Sequence, residues 1–375
     1  MKFISGMTAI LIVAIFVGCG SSDSTNYDAL NDWDDTAHDL GADTDGLDAI
    51  DSGPDAGGDA ALDLDSLDGP MDPDSGDLEE DGESDAPPLS YFTAGHVFVA
   101  GSRNAEVFEF NEALELVSRW THPMFGEVLP APGQSFQVGP QGMAFDADGR
   151  LVVAAHSHFC VFSAPDEEFA CYPKVREQPT ENIIFDSIGN LYTTTATGGT
   201  NEVHKYTAGY EYLTTFSAPT GELTGITCDP ESNLYVASQT GGCIYKFARD
   251  DLSVLDTIPV AGSLEGLQFF ETDSIYVAAH GAVPTIQLVR ASSPAELLSS
   301  ATVAGCAIPV PITTDDEGRI YTADYENGSG TAPADLFILS ADGTIIASNL
   351  ASPVYGPFGM VVAGVVLPCG AYQLE

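Results

Sequence analysis

The apolar and polar positions of the chain repeat as one unit: a short apolar run, an acidic turn and a second apolar run. The clearest copy begins at Gly142 and reads GMAFDADGRLVVAA, and weaker copies occupy residues 182–195, 225–238, 266–279 and 311–324. Steps of 40, 43, 41 and 45 residues separate five aligned positions, namely Leu151, Leu191, Leu234, Ile275 and Ile320. A period of this size, carried by short apolar runs, predicts an all-β repeat architecture.

Each unit divides into four predicted strands. In the clearest copy these strands are residues 142–145, 151–155, 159–163 and 169–173, and Asp/Gly turns of the hairpin type join the first two. Four-stranded units arranged radially form a β-propeller, in which each unit is a blade.

Five units fit between residues 138 and 351, and a sixth is split between the two ends of the propeller. Residues 96–100, 106–110 and 114–120 supply three of its strands, and residues 359–363 supply the missing first strand. The sequence therefore predicts a six-bladed propeller closed by the C-terminal strand. Five or seven blades stay open as alternatives, because residues 365–375 have no place in the pattern.

The N-terminus has the features of an export signal. Met1 and Lys2 precede an apolar run that ends near Val17, which is shorter than the roughly 20 residues of a membrane span. The sequence Phe16-Val-Gly-Cys19 resembles a bacterial lipobox, which implies lipidation of Cys19. We divide the chain into a signal peptide (1–18), an acidic linker (19–88) and a propeller (89–375).

Charge is distributed unevenly along the chain. The protein has 56 Asp and Glu residues against 11 Lys and Arg residues, a formal charge of -45, and residues 20–88 contain 23 of the acids and no Lys or Arg. A linker with one sign of charge and few apolar residues is predicted to be disordered and extended. The overall charge excludes nucleic acid as a partner. We expect a monomer held at the outer membrane or cell surface by its lipid.

Six cysteines follow Cys19, and an exported chain can form disulfides. Cys160 and Cys171 lie symmetrically about a predicted hairpin turn, so we expect them to pair. The remaining pairing stays open: Cys306 and Cys369 are placed to link neighbouring blades, and Cys228 and Cys243 are placed to stay unpaired.

The pattern brings polar residues to one mouth of the propeller channel. The loop that enters the first strand of a blade and the loop after its second strand open on the same face. The residues before the first strands are Gln141, Glu181, Thr224, Glu265 and Phe358. The residues after the second strands include His156, Gln239, His280 and Asp324. The acids of the Asp/Gly turns lie on the other face, where we expect them to form the turns.

The repeat resembles the blades of NHL and SMP-30/gluconolactonase-like propellers, which carry a similar unit of glycine, apolar residues, Phe-Asp, a turn glycine and Leu-Tyr-Val-Ala. The resemblance covers residues 91–375. In SMP-30-like lactonases, oxygen ligands of a divalent cation stand just before the first strands. The resemblance therefore implies Gln141, Glu181 and Glu265 as ligands of Ca²⁺ or another divalent cation, although the neutral Gln141 departs from that pattern.

Our leading hypothesis is a lipid-anchored envelope protein that binds a ligand or a partner protein at the channel mouth without catalysis, with Gln239 and Asp324 on the rim. The alternative is a metal-dependent lactone hydrolase in which Glu181 and Glu265 hold the cation and His156 or His280 carries the proton. A purely structural envelope protein is the third hypothesis. Fold alone does not separate them.

Overall fold

We obtained the structure as a computed structural model, which describes residues 91–126, 139–175, 180–195, 201–325, 332–365 and 369. The predicted signal peptide, the acidic linker and the lipidation site Cys19 lie outside these residues. Within the described residues, no helix reaches the length and hydrophobicity of a membrane span.

The described chain forms 24 strands and one short 3-10 helix, Pro123–Phe125. Blade 1 takes three strands from the N-terminal part of the propeller, namely β1 (Val97–Gly101), β2 (Glu106–Phe110) and β3 (Leu116–Thr121). Blade 2 comprises β4 (Met143–Phe145), β5 (Leu151–Ala154), β6 (His158–Ala164) and β7 (Glu167–Pro173). Blade 3 comprises β8 (Asn182–Phe185), β9 (Leu191–Thr195), β10 (Glu202–Tyr206) and β11 (Tyr212–Ser217). Blade 4 comprises β12 (Leu223–Cys228), β13 (Leu234–Ser238), β14 (Cys243–Phe247) and β15 (Val254–Pro259). Blade 5 comprises β16 (Ser263–Phe270), β17 (Ser274–His280), β18 (Thr285–Arg290) and β19 (Leu297–Thr302). Blade 6 comprises β20 (Pro309–Thr314), β21 (Ile320–Asp324), β22 (Leu336–Leu339) and β23 (Ile345–Asn349), and β24 (Pro357–Val362) follows it in the chain.

The strands form six four-stranded antiparallel sheets, which confirms the six-bladed propeller. Five sheets are built from consecutive strands, and the sixth has the order β24-β1-β2-β3. The C-terminal strand therefore completes blade 1, as the sequence predicts, with Val97 opposite Val362 in the register. The first strands of neighbouring blades contact each other around the whole ring, including β24 with β4.

The acidic turn of the repeat forms the hairpin between the first two strands of a blade. In blade 3 one oxygen of Asp186 accepts hydrogen bonds from the backbone N–H groups of Ile188 and Asn190. The other oxygen accepts from the Tyr192 hydroxyl at 3.1 Å. The turn residue Gly189 has a φ of +84°, a conformation that glycine adopts without strain. Asp146, Asp229 and Asp315 make matching bonds in their own blades. These acids shape the turns, as expected.

The hydrophobic core is divided among the interfaces between blades. The buried apolar residues of the described chain form one cluster between each pair of neighbouring blades. Between blades 1 and 2, for example, Phe98 and Trp120 pack edge to face, and Trp120 packs in turn against Phe162. Because each cluster needs residues from two blades, a blade is stable only in contact with its neighbours.

Glycines allow the first strands to approach one another around the channel. A side chain at Gly225 would meet the Glu265 carbonyl oxygen of the next blade at 2.6 Å, and one at Gly266 would meet Val310 in the same way. Gly359, in the closing strand, lies against the carbonyl oxygen of Gln141 in blade 2. The glycine that opens several copies of the repeat is therefore a packing requirement of the ring.

Two disulfides have both of their cysteines defined among the described residues. Cys160 pairs with Cys171 across the β6–β7 hairpin, as predicted, with Cα atoms 4.2 Å apart. The second disulfide joins Cys228 to Cys369, so the suggested link between Cys306 and Cys369 is wrong. The expected unpaired state of Cys228 and Cys243 is also wrong, because both cysteines are disulfide-bonded. The reason is the direction of the strands: Cys228 ends β12 and Cys369 follows β24, and both strands end at the same face. Cys306 precedes β20 at the opposite face and is a buried free thiol.

We predict that Gly359→Ala destabilises the propeller, because the added methyl group clashes with the backbone of the neighbouring blade at the point where the ring closes. Overpacking of this kind costs about 1–3 kcal/mol, which urea unfolding followed by circular dichroism would measure. Gly281→Ala is the matched control, because no atom lies within 4 Å of the added carbon there. Equal free energies of unfolding for the two variants would contradict the close approach.

Candidate functional site

The candidate site is the mouth of the channel, and the first strands of the blades build it. Gln141, Glu181 and Glu265 each stand immediately before the position at which neighbouring first strands approach most closely. Their side chains are held by rigid strands of blades 2, 3 and 5. Glu222, just before β12, adds a carboxylate from blade 4. We call Gln141, Glu181, Glu222 and Glu265, with Gln239 and His280, the channel mouth.

Glu265 is the anchor of a polar network at the mouth. One of its oxygens, Oε1, lies 2.6 Å from Nε2 of His280 and accepts a hydrogen bond of 2.5 Å from the side-chain amide of Gln239. Glu265 and His280 are both buried, so water competes little for the hydrogen bond between them. The structure therefore brings together Gln239, Glu265 and His280, three of the residues predicted from the sequence.

Glu181 stands in an unfavourable place for a negative charge. Burial raises its pKa to about 8, and repulsion from Glu265 and then Glu222 adds to the effect. At neutral pH Glu181 is therefore mostly protonated, and its carboxyl group can donate a hydrogen bond. The protonated form of Glu181 could donate a hydrogen bond to an acceptor on a ligand. Its ionised form could pair with a cationic group.

The side chain of Gln141 offers an acceptor that the protein leaves unused. Gln141 is 7% exposed, and its Oε1 atom has no hydrogen-bond partner within the described part of the chain. A buried polar atom without a partner costs free energy, of the order of 1–3 kcal/mol. A bound donor group would recover that cost.

Lys174 and Glu222 belong to this region although the sequence analysis did not single them out. Lys174 follows β7, and its Nζ donates a 2.8 Å hydrogen bond to the hydroxyl of Thr180, the residue before Glu181. Burial lowers the pKa of Lys174 to about 7. The scarcity of basic residues in this acidic chain was the one signal in the sequence that could have drawn attention to Lys174.

Two other predicted residues have roles in the fold. Asp324 is buried, and its oxygens accept hydrogen bonds from the backbone N–H groups of Ala307 and Ile308, which holds the loop before β20 in place. The hydroxyl of Thr224 donates to the Leu264 carbonyl oxygen and so links blade 4 to blade 5. His156 is buried two residues after the end of β5.

The mouth does not contain a ready-made set of metal ligands. Among the described residues, the only group of three His, Cys, Asp or Glu donors within 4.8 Å of one another is His122, Cys160 and Cys171, outside the mouth. The carboxylates of Glu181, Glu222 and Glu265 are farther apart than one bound cation requires. A divalent cation at Gln141, Glu181 and Glu265 therefore stays a prediction.

Comparison with known proteins supports the fold. No family model matches the chain, and no curated protein matches its sequence. A protein of unknown function from Bacteroides caccae is similar in structure, with a TM-score of 0.54 and 12% identity over 72% of this chain and 98% of that one. A streptogramin B lyase has a TM-score of 0.50 and 14% identity over 73% of this chain and 88% of that one. An inactive virginiamycin B lyase from Staphylococcus aureus, crystallised with quinupristin, has a TM-score of 0.46 and 13% identity over 59% and 73% of the two chains. At these identities the likeness shows the fold alone.

We predict that Glu181 makes the propeller less stable as pH rises. The folded-state pKa of about 8 lies above the ordinary glutamate value of 4.5, so between these pH values the folded protein holds a proton that the unfolded chain has lost. Stability from this group is complete below about pH 4.5 and is lost as pH rises to about 8. Glu181→Gln should flatten this dependence and raise the free energy of unfolding at pH 9 by about 1–2 kcal/mol, a figure reduced for screening by water.

Urea unfolding between pH 4 and pH 9 would measure this effect. Glu211→Gln is the control, because Glu211 is exposed on the outer hairpin of the same blade. If the wild type and Glu181→Gln had the same pH dependence, Glu181 would titrate as an ordinary surface acid.

Proposed function

We propose that this protein is a lipid-anchored propeller of the cell envelope that binds a ligand at the channel mouth. The observation that carries the proposal is the convergence of Glu181, Glu222 and Glu265 from three successive blades, where burial and mutual repulsion raise the pKa of Glu181. Clusters of carboxylates with perturbed pKa values are typical of binding and catalytic sites. The resemblance of the repeat to NHL and SMP-30-like blades is part of this proposal.

The arrangement favours a ligand that carries cationic or hydrogen-bond donor groups. Glu222 and Glu265 provide carboxylate oxygens, and the carboxyl group of Glu181 provides a further carbonyl oxygen, so the mouth has an excess of acceptors. The unused Oε1 of Gln141 adds a further acceptor in the next blade. An organic amine or a polyhydroxyl compound provides several donors at once, and the spacing of the carboxylates suits such a molecule better than a single bare cation.

The hydrogen bonds of the acidic residues at the mouth favour binding without catalysis. Glu265, the best placed acid, is already bonded to both His280 and Gln239. A metal-dependent lactone hydrolase is the second candidate, because the raised pKa of Glu181, about 8, lets this carboxyl group exchange a proton near neutral pH. The fold of a streptogramin B lyase gives no further support to either function at 14% identity.

We predict that an amine or polyhydroxyl ligand raises the melting temperature of the full-length protein. A ligand that binds only the folded state must stabilise it with the logarithm of its concentration. A panel of polyamines, amino sugars and neutral sugars should include a compound with a saturable shift. The double variant Glu181→Gln/Glu265→Gln should lose that shift, and Glu211→Gln should keep it.

The same panel separates the alternatives. A saturable shift with Ca²⁺ or Mn²⁺ after dialysis against a chelator, lost in the double variant, would favour the metal-dependent function. Turnover of lactones by the wild type but not by the double variant would replace binding with hydrolysis. No shift with any compound would show that the mouth is not the binding site.

We predict that Cys19→Ser abolishes membrane attachment, because the thiol is the only position in the lipobox-like segment that can accept a lipid. Wild-type protein expressed in a bacterium should sediment with membranes and incorporate a labelled fatty acid. The variant should do neither. Cys306→Ser is the control, since it removes a buried thiol of the propeller. Equal membrane fractions for Cys19→Ser and wild type would remove the lipid anchor from the proposal.

A further inference from the structure

A second cluster of chemically reactive side chains lies on the outer strands, where blade 1 meets blade 2. His122 directly follows β3 of blade 1, and Cys160 and Cys171 face each other on β6 and β7 of blade 2. The Nδ1 atom of His122 lies 3.6 Å from the sulfur of Cys160. One donor atom from each of the three residues falls within 4.8 Å of the others. Neither the channel mouth nor the proposed ligand uses these residues.

The imidazole of His122 is held with one nitrogen facing the sulfurs. Its Nε2 atom lies 2.6 Å from Oε2 of Glu168 on β7, an arrangement in which Nε2–H donates to the carboxylate. Its Nδ1 accepts a 3.2 Å hydrogen bond from the backbone N–H of Met124. Nδ1 therefore carries the lone pair, 3.6 Å from the sulfur of Cys160, and an ion bound to Nδ1 would replace the hydrogen bond from Met124.

The surroundings of the imidazole favour a tightly held ion. The ring packs edge-on against Phe125 and Phe162, with centroids 5.5 and 5.9 Å away. These apolar rings exclude water from one side of the cluster, which strengthens electrostatic interactions there. A carboxylate that accepts a proton from the far nitrogen of a histidine is the usual outer partner of a metal-binding imidazole, because it fixes the tautomer and the orientation of the ring.

The two sulfurs are opposite each other in the strand register. Their Cα atoms are 4.2 Å apart, and the β6–β7 ladder continues on both sides of them from Val161 to His158. The hairpin therefore keeps both sulfurs close to His122 whether or not they are bonded to each other. Cys171 is partly exposed, so a small reductant can reach the disulfide.

We propose that the reduced form of this cluster is a zinc site, with Cys160, Cys171 and His122 as ligands and Glu168 as the residue that positions the imidazole. Two thiolates and one imidazole are a donor set that zinc prefers, and a water molecule completes the tetrahedron. The disulfide and the metal are then alternative ways of joining the same two cysteines.

The interconversion balances with a dithiol as reductant. The dithiol transfers two electrons and two protons, its own sulfurs form a disulfide, and the Cys160–Cys171 bond opens to two thiols. Binding of Zn²⁺ releases those two protons, because zinc is held by thiolates. Exchange with an oxidising disulfide reverses the electron transfer and expels the ion. The oxidised state ties β6 to β7 within blade 2, whereas the metal also ties blade 2 to blade 1 through His122.

The test is zinc binding by the full-length protein before and after reduction, with a coloured chelator in competition. We expect one tightly bound Zn²⁺ per chain after reduction and none before it. Co²⁺ in the same site should show the visible absorption of tetrahedral thiolate coordination. The double variant Cys160→Ser/Cys171→Ser should lose both signals, and His122→Phe, which keeps the ring contacts, should weaken binding at least tenfold.

Reduction also opens the second disulfide, so Cys228→Ser/Cys369→Ser is the matched control and should keep the site. Glu168→Gln changes a half-exposed residue and leaves both cysteines in place. This variant therefore tests the site even if a cysteine variant fails to fold. It should reduce zinc affinity by about 10-fold to 100-fold. The proposal is overturned if reduced wild type binds no zinc, or if the Cys160→Ser/Cys171→Ser and Glu168→Gln variants bind it as well as wild type does.

Discussion

The structure depends on how closely the first strands of neighbouring blades approach around the channel. Backbone lies against backbone at Gly225, Gly266 and Gly359, with no room for a side chain. This contact joins the first strand of each blade to that of the next around the whole ring. It also sets the position of the residue that precedes each contact, and at three blades that residue is Gln141, Glu181 or Glu265. The same constraint that closes the fold therefore gathers the polar groups of the mouth.

Carboxylates have two different roles at the two ends of the first strands. At one end Asp186 and its equivalents accept N–H groups of their own turn, so their charge is satisfied locally. At the other end Glu181 has other carboxylates as its electrostatic neighbours, and its pKa rises. The partners of Asp186 belong to its own turn and are close in the sequence. The carboxylates that repel Glu181 belong to other blades and are brought near it only by the closed ring. Asp324 is an intermediate case, since it lies at the mouth yet holds the backbone of a loop.

The repeat made most of the fold predictable. Its period gave the blades, and the split unit gave the closure by β24, because each blade is built from contiguous residues with recurring turn chemistry. The position of Glu181 and Glu265 before their strands could be predicted for the same reason. The pairing of Cys228 with Cys369 could not, since it joins residues far apart in the chain. Lys174 was missed because burial between blades, and not a motif, lowers its pKa.

Strand ends were the least predictable part of each blade. β16 begins at Ser263, earlier than the repeat suggests, and its register with β17 shifts between Leu264 and Leu267; the first two strands of blades 4 and 6 have the same shift at the equivalent positions. Such a shift depends on the neighbouring strand and has no counterpart in the apolar pattern. In blade 5 it includes Glu265, the residue that bonds to His280. The local irregularity and the chemistry of the mouth are thus found at the same place.

The disulfide between Cys228 and Cys369 joins blade 4 to the segment that follows the last strand of blade 1, on the opposite side of the ring. A protease that cuts the backbone once in any surface loop between these two cysteines leaves both pieces covalently connected. The pieces also stay paired within the shared sheet of blade 1. A single cut would release half of an open repeat array, but here the two pieces stay together. They separate only when the disulfide is reduced as well.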